Sequence, residues 1–316
     1  MSGIVSLNIL ENLSTSERIQ YFNDIHKICE KRRVDRQRVS LIKRGLARLT
    51  PLFRKYPLEI EGTENIPADE NVIFLCNHSN SHDAFTLLEV FVKLHKNVSW
   101  LGAWDGLNWL SRLFFRLIDG VLFKRDSKQS ASVGVIELCS KIIAGRYGFV
   151  FGEATWNMHP TKPMQNLHAG VTEIALITGK RIVPVIFEYV EVDHMCKKEA
   201  ELYKKCVVSF GTPVTVRADE SLFGQTDQLQ ETMTSMREAI WNREGVKKKD
   251  LSEEDIKRYI NHTYLKKFKA LGFVYNTEHE SRFLLGKGQK IENEYCFDDD
   301  GNFVLGFLER NAVWKN

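Results

Sequence analysis

No apolar run in this 316-residue chain approaches the length of a membrane span, so no transmembrane helix is expected. The six cysteines, Cys29, Cys76, Cys139, Cys196, Cys206 and Cys296, contain no C-x-x-C pair. Thiols scattered in this way fit reduced, structural residues of a cytosolic protein. Segment 1–17 holds Glu11 and Glu17 and lacks a basic stretch ahead of an apolar core, so no secretion signal is expected. Repeats of solenoid period and low-complexity linkers are also lacking. Neither charge sign dominates: 44 Lys and Arg against 41 Asp and Glu leave +3, too little to imply nucleic acid as a partner. No recognisable nucleic-acid-binding module accompanies that balance.

Strand-like segments near 58–61, 72–76, 98–101, 121–123, 147–151, 182–189 and 207–210 alternate with helix-like stretches. This alternation predicts an α/β fold with a central mixed sheet flanked by helices. The length suits one main domain with extensions. Its expected limits are a basic amphipathic helical segment over 1–55, the principal domain over 56–245 and a small α+β appendage over 246–316. The charged run 243–250, with Gly245, marks the last boundary. Beyond it, 251–271 reads as a helix, and 283–285, 295–297 and 303–308 read as short strands, with a hairpin turn at 299–302.

The most chemically informative stretch is Asn77 to Phe85, NHSNSHDAF. The apolar, partly β-branched run 72–76 reads as a buried strand, and the pattern from Thr86 onward reads as a helix. His78 therefore falls on the connecting loop, and Asp83 near the helix N-terminus, where Ser81 or Asp83 itself can cap free backbone N–H groups. A carboxylate bonded to one imidazole nitrogen fixes the tautomer and steadies the imidazolium, which lets the other nitrogen take a proton from an alcohol. A helix cap beside a solvated histidine explains the same residues. His78, His82 and Asp83 are also three potential metal ligands, but His78 precedes the helix, so the two histidines do not share a helical face and no metal is expected. A serine hydrolase is disfavoured because no G-x-S-x-G occurs.

Four blocks in order, from about Pro57 to Arg217, resemble the glycerolipid acyltransferases of the lysophosphatidic acid acyltransferase type. The first is His78 to Asp83, a His, four residues, then Asp. The second is Asp119-Gly120-Val121-Leu122-Phe123-Lys124-Arg125, with Asp119 where the family usually has glycine. The third is Phe151-Gly152-Glu153-Ala154-Thr155-Trp156, where the family has Phe-Pro-Glu-Gly-Thr-Arg. The fourth is Ile182-Val183-Pro184-Val185-Ile186, preceded by Ala169-Gly170 and followed by Phe210-Gly211-Thr212-Pro213.

The resemblance implies O-acyl transfer from a thioester donor, acyl-coenzyme A or acyl carrier protein, to a hydroxyl of a lysophospholipid or related lipid or glycan. His78 would be the general base and Asp83 its orienting partner. Arg125 and Glu153 would position the acceptor, and Gly152, Thr155 and Trp156 would line that wall of the pocket. No cofactor beyond the acyl thioester is implied. Trp156 in place of arginine removes a bidentate phosphate ligand, so the acceptor stays open. The alternative is a lipid-binding or scaffold protein with the same fold and no turnover.

Two amphipathic stretches bear on lipid contact. Between Lys31 and Lys55 there are ten cations and one acid, Asp35, with Ile42, Leu46, Leu49 and Phe53 at helical spacing. This pattern fits an anionic membrane surface, or a solvated basic face whose apolar stripe packs on the domain. The second stretch holds Trp100, Trp104 and Trp109 followed by Leu110, Leu113, Phe114, Phe115, Leu117 and Ile118, with Arg112 and Arg116. It reads as an acyl-channel wall, a membrane contact or core packing. The expected setting is cytoplasmic, peripheral on the cytoplasmic face of the membrane.

Overall fold

The computed structural model describes residues 7–32, 34, 43, 45–49, 56–79, 83–103, 109–124, 127–153, 157, 162–191, 203–246 and 252. Seven strands are β1 (Leu58–Glu61), β2 (Ile73–Cys76), β3 (Val98–Ala103), β4 (Gly120–Phe123), β5 (Tyr147–Phe151), β6 (Ile182–Glu191) and β7 (Tyr203–Phe210). They form one sheet in the order β1-β7-β6-β2-β5-β3-β4. All neighbours pair parallel except β6 with β7, so the sheet is mixed, as its alternating elements predict. The helices are α1 (Leu7–Glu11), α2 (Thr15–Glu30), α3 (Asp83–Lys93), α4 (Trp109–Leu117), α5 (Lys128–Ile143), α6 (Gly170–Thr178) and α7 (Leu222–Glu244).

The two-residue period of the strands sorts their side chains into two cores. Ile73, Leu75, Ile182, Ile186 and Val207 join the apolar faces of α2, α5, α6 and α7 on one side of the sheet. Val72, Phe74, Cys76, Val183, Val185 and Phe187 join α3, Tyr56 and Ile118 on the other. Helix α2 shows the local logic. Arg18, Phe22, Ile25 and Cys29 are its buried residues, at helical spacing, and a Ser14–Glu17 capping box fixes its start.

Two details depart from expectation. Strand β7 begins at Tyr203 rather than near 207, because Lys204 and Lys205 interrupt the apolar pattern; Lys205 Nζ instead reaches Glu59 at 2.8 Å and Glu244 at 2.9 Å. Lys43 of the basic stretch is buried: its Nζ donates to Val98 O and Asn97 Oδ1 and sits 3.6 Å from Asp119. Leu46 and Ala47 pack on the core while Leu49 is exposed, so in the described part of that stretch the apolar residues divide between the domain and the surface. Trp100 is buried against Phe115, in keeping with the core-packing reading of its stretch. Ile42 and Phe53, Trp104, and the expected elements from 253 to 316 lie outside the described residues.

Asp119 has a left-handed backbone, φ 69, which accounts for glycine at this position in the family it resembles. Aspartate is held there by Ser99 Oγ at 2.5 Å, Lys141 Nζ at 2.9 Å and Arg146 Nη1 at 3.5 Å, besides Lys43. Burial draws its pKa up, but Lys43, Lys141 and Ser99 outweigh that and hold it below the usual carboxylate value. Burial likewise pushes Lys43 down to about 8.

Glu173, on α6, is buried with no hydrogen-bond partner for Oε1 among the described residues, and burial pushes its carboxyl up to about 8. A folded-state pKa above the unfolded value means the contribution to stability is complete below about 4.5 and is lost as pH rises through about 8. Glu173→Gln is therefore expected to match the parent near pH 4 and to become more stable above it. Each tenfold difference in proton affinity between the folded and unfolded chains is worth roughly 1.4 kcal/mol, so the gain is on the order of a few kcal/mol by about pH 9. Urea unfolding across that range reads it. A pH-independent difference would contradict this assignment.

Candidate active site

His78 and Asp83 meet at the carboxyl edge of the parallel strands, where open α/β sheets gather their functional loops. Strand β2 ends at Cys76, and α3 begins at Asp83. Asp83 Oδ2 accepts from His78 Nδ1 at 2.7 Å and from the Ser79 backbone N–H at 2.6 Å. The carboxylate accepts only, so it draws the ring proton to Nδ1 and leaves Nε2 as the basic nitrogen. Asp83 is fully buried, whereas the His78 side chain keeps 19% of its surface open to solvent. The ring stacks on Phe151, centroids 3.9 Å apart and planes 12° apart, which fixes its tilt.

The loop beneath the ring is tied from three sides. Asn77 makes a two-way bond with the Phe187 backbone: Oδ1 accepts from its N–H at 2.7 Å, and Nδ2 donates to its carbonyl at 3.0 Å. Nδ2 also donates to Ser79 Oγ at 2.7 Å. The amide side chain thus prolongs the β2–β6 ladder past Cys76, where His78 turns away. From α7, Arg237 Nε donates to Glu188 Oε2 at 2.6 Å, Nη1 to Pro163 O at 2.6 Å and Nη2 to Ser79 Oγ at 3.4 Å. The third tie is Glu153, two residues past the end of β5. Its Oε2 accepts from the His78 backbone N–H and its Oε1 from the Gln165 N–H, both at 2.6 Å. Burial pushes the Glu153 carboxyl up to about 7 against the opposing pull of those two N–H groups.

Glu153 is consequently a strut between the His78 loop and the segment around Gln165; its two oxygens hold backbone groups. Gly152 is also internal. A Cβ there would stand 2.5 Å from Leu75 Cδ1 and 2.7 Å from Leu167 Cδ2, and its N–H donates to Cys76 O at 2.9 Å. It packs against the core, which differs from the pocket wall expected of it. Arg125, Thr155 and Trp156, together with Ser81 and His82, lie outside the described residues. Among the described residues no group of three His, Cys, Asp or Glu is arranged to hold a metal ion.

Two nearby groups that could compete as nucleophiles are engaged otherwise. Ser79 Oγ is buried in the Asn77–Arg237 network and donates to Phe187 O at 3.2 Å. Burial pushes the Cys76 thiol well above its usual range, with Asp83 and Glu153 adding to the rise, so it stays protonated. The chemistry available at the site is proton transfer at His78 Nε2.

Sequence reasoning missed Gln165, Glu188 and Arg237, and the part that Ser79 plays in tying the loop. One signal was present: Glu188 interrupts the apolar run of β6, and a charge in a fully buried strand demands a partner. Nothing in the sequence singles out Arg237 from the other cations as that partner.

Residues 57–188 match the family model described as Acyltransferase. No curated protein matches the chain by sequence. Among solved structures, the crystal structure of the 1-acyl-sn-glycerophosphate acyltransferase PlsC from Thermotoga maritima is similar, with 19% identity and a TM-score of 0.49 over 74% of this chain and 94% of that one.

Proposed function

We propose that this chain, whose residues 57–188 match the Acyltransferase family model, moves a fatty acyl group from a thioester donor to a lipid hydroxyl. The donor is acyl-coenzyme A or acyl carrier protein, and the acceptor a lysophospholipid or a related lipid or glycan at a membrane surface. The observation that carries this reading is the 2.7 Å bond from His78 Nδ1 to a fully buried Asp83 beneath a partly open imidazole.

Nε2 of His78 removes the acceptor hydroxyl proton as that oxygen attacks the thioester carbonyl. Asp83 steadies the resulting imidazolium. The tetrahedral intermediate collapses with cleavage of the C–S bond, and His78 returns the proton to the departing thiolate. Direct transfer agrees with the engagement of Ser79 and Cys76, since neither is available for an acyl-enzyme. The thioester is a co-substrate, and the scheme requires no resident cofactor or nucleic acid. In this scheme the acceptor is met at the bilayer surface, on the cytoplasmic face; no helix among the described residues is long and apolar enough to cross a membrane.

Trp156 stands where the family has arginine, and an indole suits an apolar chain or a sugar face better than a phosphate. The test is incubation of the purified chain with a labelled acyl thioester and, in turn, lysophosphatidic acid, glycerol 3-phosphate, neutral lysolipids and sugars. Labelled ester is expected, with a neutral lysolipid outpacing the phosphomonoesters. Absence of ester with every acceptor, while the acyl ligand still binds, would leave a lipid-binding scaffold instead.

A further inference from the structure

Helix α4 is amphipathic in an unusual sense, because it offers apolar residues on two faces. Phe115 faces the core, packing 4.4 Å from the Trp100 ring between centroids, and half-buried Phe114 borders the outer face at helical spacing from Leu110 and Leu117. Trp109 is 74% exposed, Leu110 59%, Leu113 46% and Leu117 36%. Positions 110, 113 and 117 follow helical spacing, so they form one outward stripe with Trp109 at its head. A contiguous exposed apolar strip of this kind marks a contact surface.

Two observations point to what it contacts. The helix carries Arg112 and Arg116 and no carboxylate, and Arg116 is exposed. Tryptophan, leucines and arginines without acids make up the composition of a helix that lies in a bilayer interface and favours anionic headgroups. The stripe is also continuous with the candidate site. Phe85, 42% exposed and two residues beyond Asp83, lies 5.3 Å from Phe114 between ring centroids. The apolar surface therefore runs from α4 onto the first turn of α3, the turn that supplies the carboxylate.

We infer that the outer face of α4, with Phe85, docks onto an anionic lipid bilayer and sets the His78–Asp83 pair at its surface. This inference rests on the lipid-acceptor reading above and names the face that reading needs. A lipid leaving the leaflet along this face reaches the imidazole without its acyl chain crossing water.

The test uses the full chain and vesicles of phosphatidylcholine mixed with phosphatidylglycerol. Leu110→Glu/Leu113→Glu is expected to lower vesicle affinity in sedimentation by roughly a hundredfold, since two leucines no longer leave water. Arg116→Glu is expected to weaken binding to the mixed vesicles and leave binding to pure phosphatidylcholine unchanged. All these positions are exposed, and matching thermal melts establish that the variants fold. Transfer to a vesicle-embedded acceptor falls in parallel with binding, while transfer to a short-chain acceptor free in solution is kept. Unchanged vesicle affinity in the double variant overturns the inference. So does a wild-type dimer that the same substitutions dissociate without any effect on lipid, which makes the stripe a protein interface. Vesicle binding through α4 in a protein that transfers no acyl group to any acceptor would sink the enzymatic reading and leave the docking surface standing.

Discussion

His78→Ala is expected to lower acyl transfer by about 10² to 10⁴ with folding intact, the usual worth of a positioned general base. The ring is a loop side chain with part of its surface in solvent, and the loop is held by bonds that alanine retains. These are the His78 N–H to Glu153 at 2.6 Å and the Asn157 N–H to His78 O at 2.7 Å. Asp83→Asn tests the second half of the pair. The amide oxygen can still accept from the Ser79 N–H, so the loop keeps its path, but the charge that steadies the imidazolium is gone. Turnover should fall while binding of the acyl thioester stays within a few-fold. The His78→Ala/Asp83→Asn double variant should be no slower than His78→Ala, because the two act as one unit. Initial rates on the three proteins decide it, and additive losses would contradict a shared role.

Arg237→Met carries the largest expected effect on stability, a loss of about 3–5 kcal/mol. Its guanidinium is buried against Glu188, which has no exposed side-chain surface, and it also stacks on Trp241 at 5.3 Å. Removing it strips a buried carboxylate of its counter-charge, and the methionine cannot replace the bonds to Pro163 O and Ser79 Oγ. Glu188→Leu combined with Arg237→Met should recover most of the lost stability, because both charges then leave the interior. Urea unfolding of the two single variants and the double variant makes the comparison. The rescued protein is still expected to turn over slowly, since Arg237 spans the loop that carries His78 and the segment that carries Pro163. Full activity in the double variant would mean that Arg237 serves stability alone.

The sequence marked much of this arrangement because local chemistry dictates it. Apolar runs of strand length gave the seven strands to within a few residues, except where Lys204 and Lys205 break the pattern at the start of β7. The five-residue offset of His78 from Asp83, across a strand-to-helix turn, already brought one carboxylate within reach of one imidazole. Glu153 stood out as a carboxylate directly after a buried strand, but its role did not: an isolated glutamate reads equally well as a substrate ligand or as a strut.

Hydrophobic period, strand ends and the His78–Asp83 offset were settled by the linear order of residues, since each depends on neighbours only a few positions apart. The tertiary structure alone decided that β7 runs antiparallel to β6, that Lys43 turns inward to Asp119, and that Arg237 reaches across 158 residues to Ser79. It also decided which face of α4 the domain leaves uncovered. These outcomes depend on which surfaces are buried when distant segments pack, and burial, unlike periodicity, is not a property that any short stretch of chain carries.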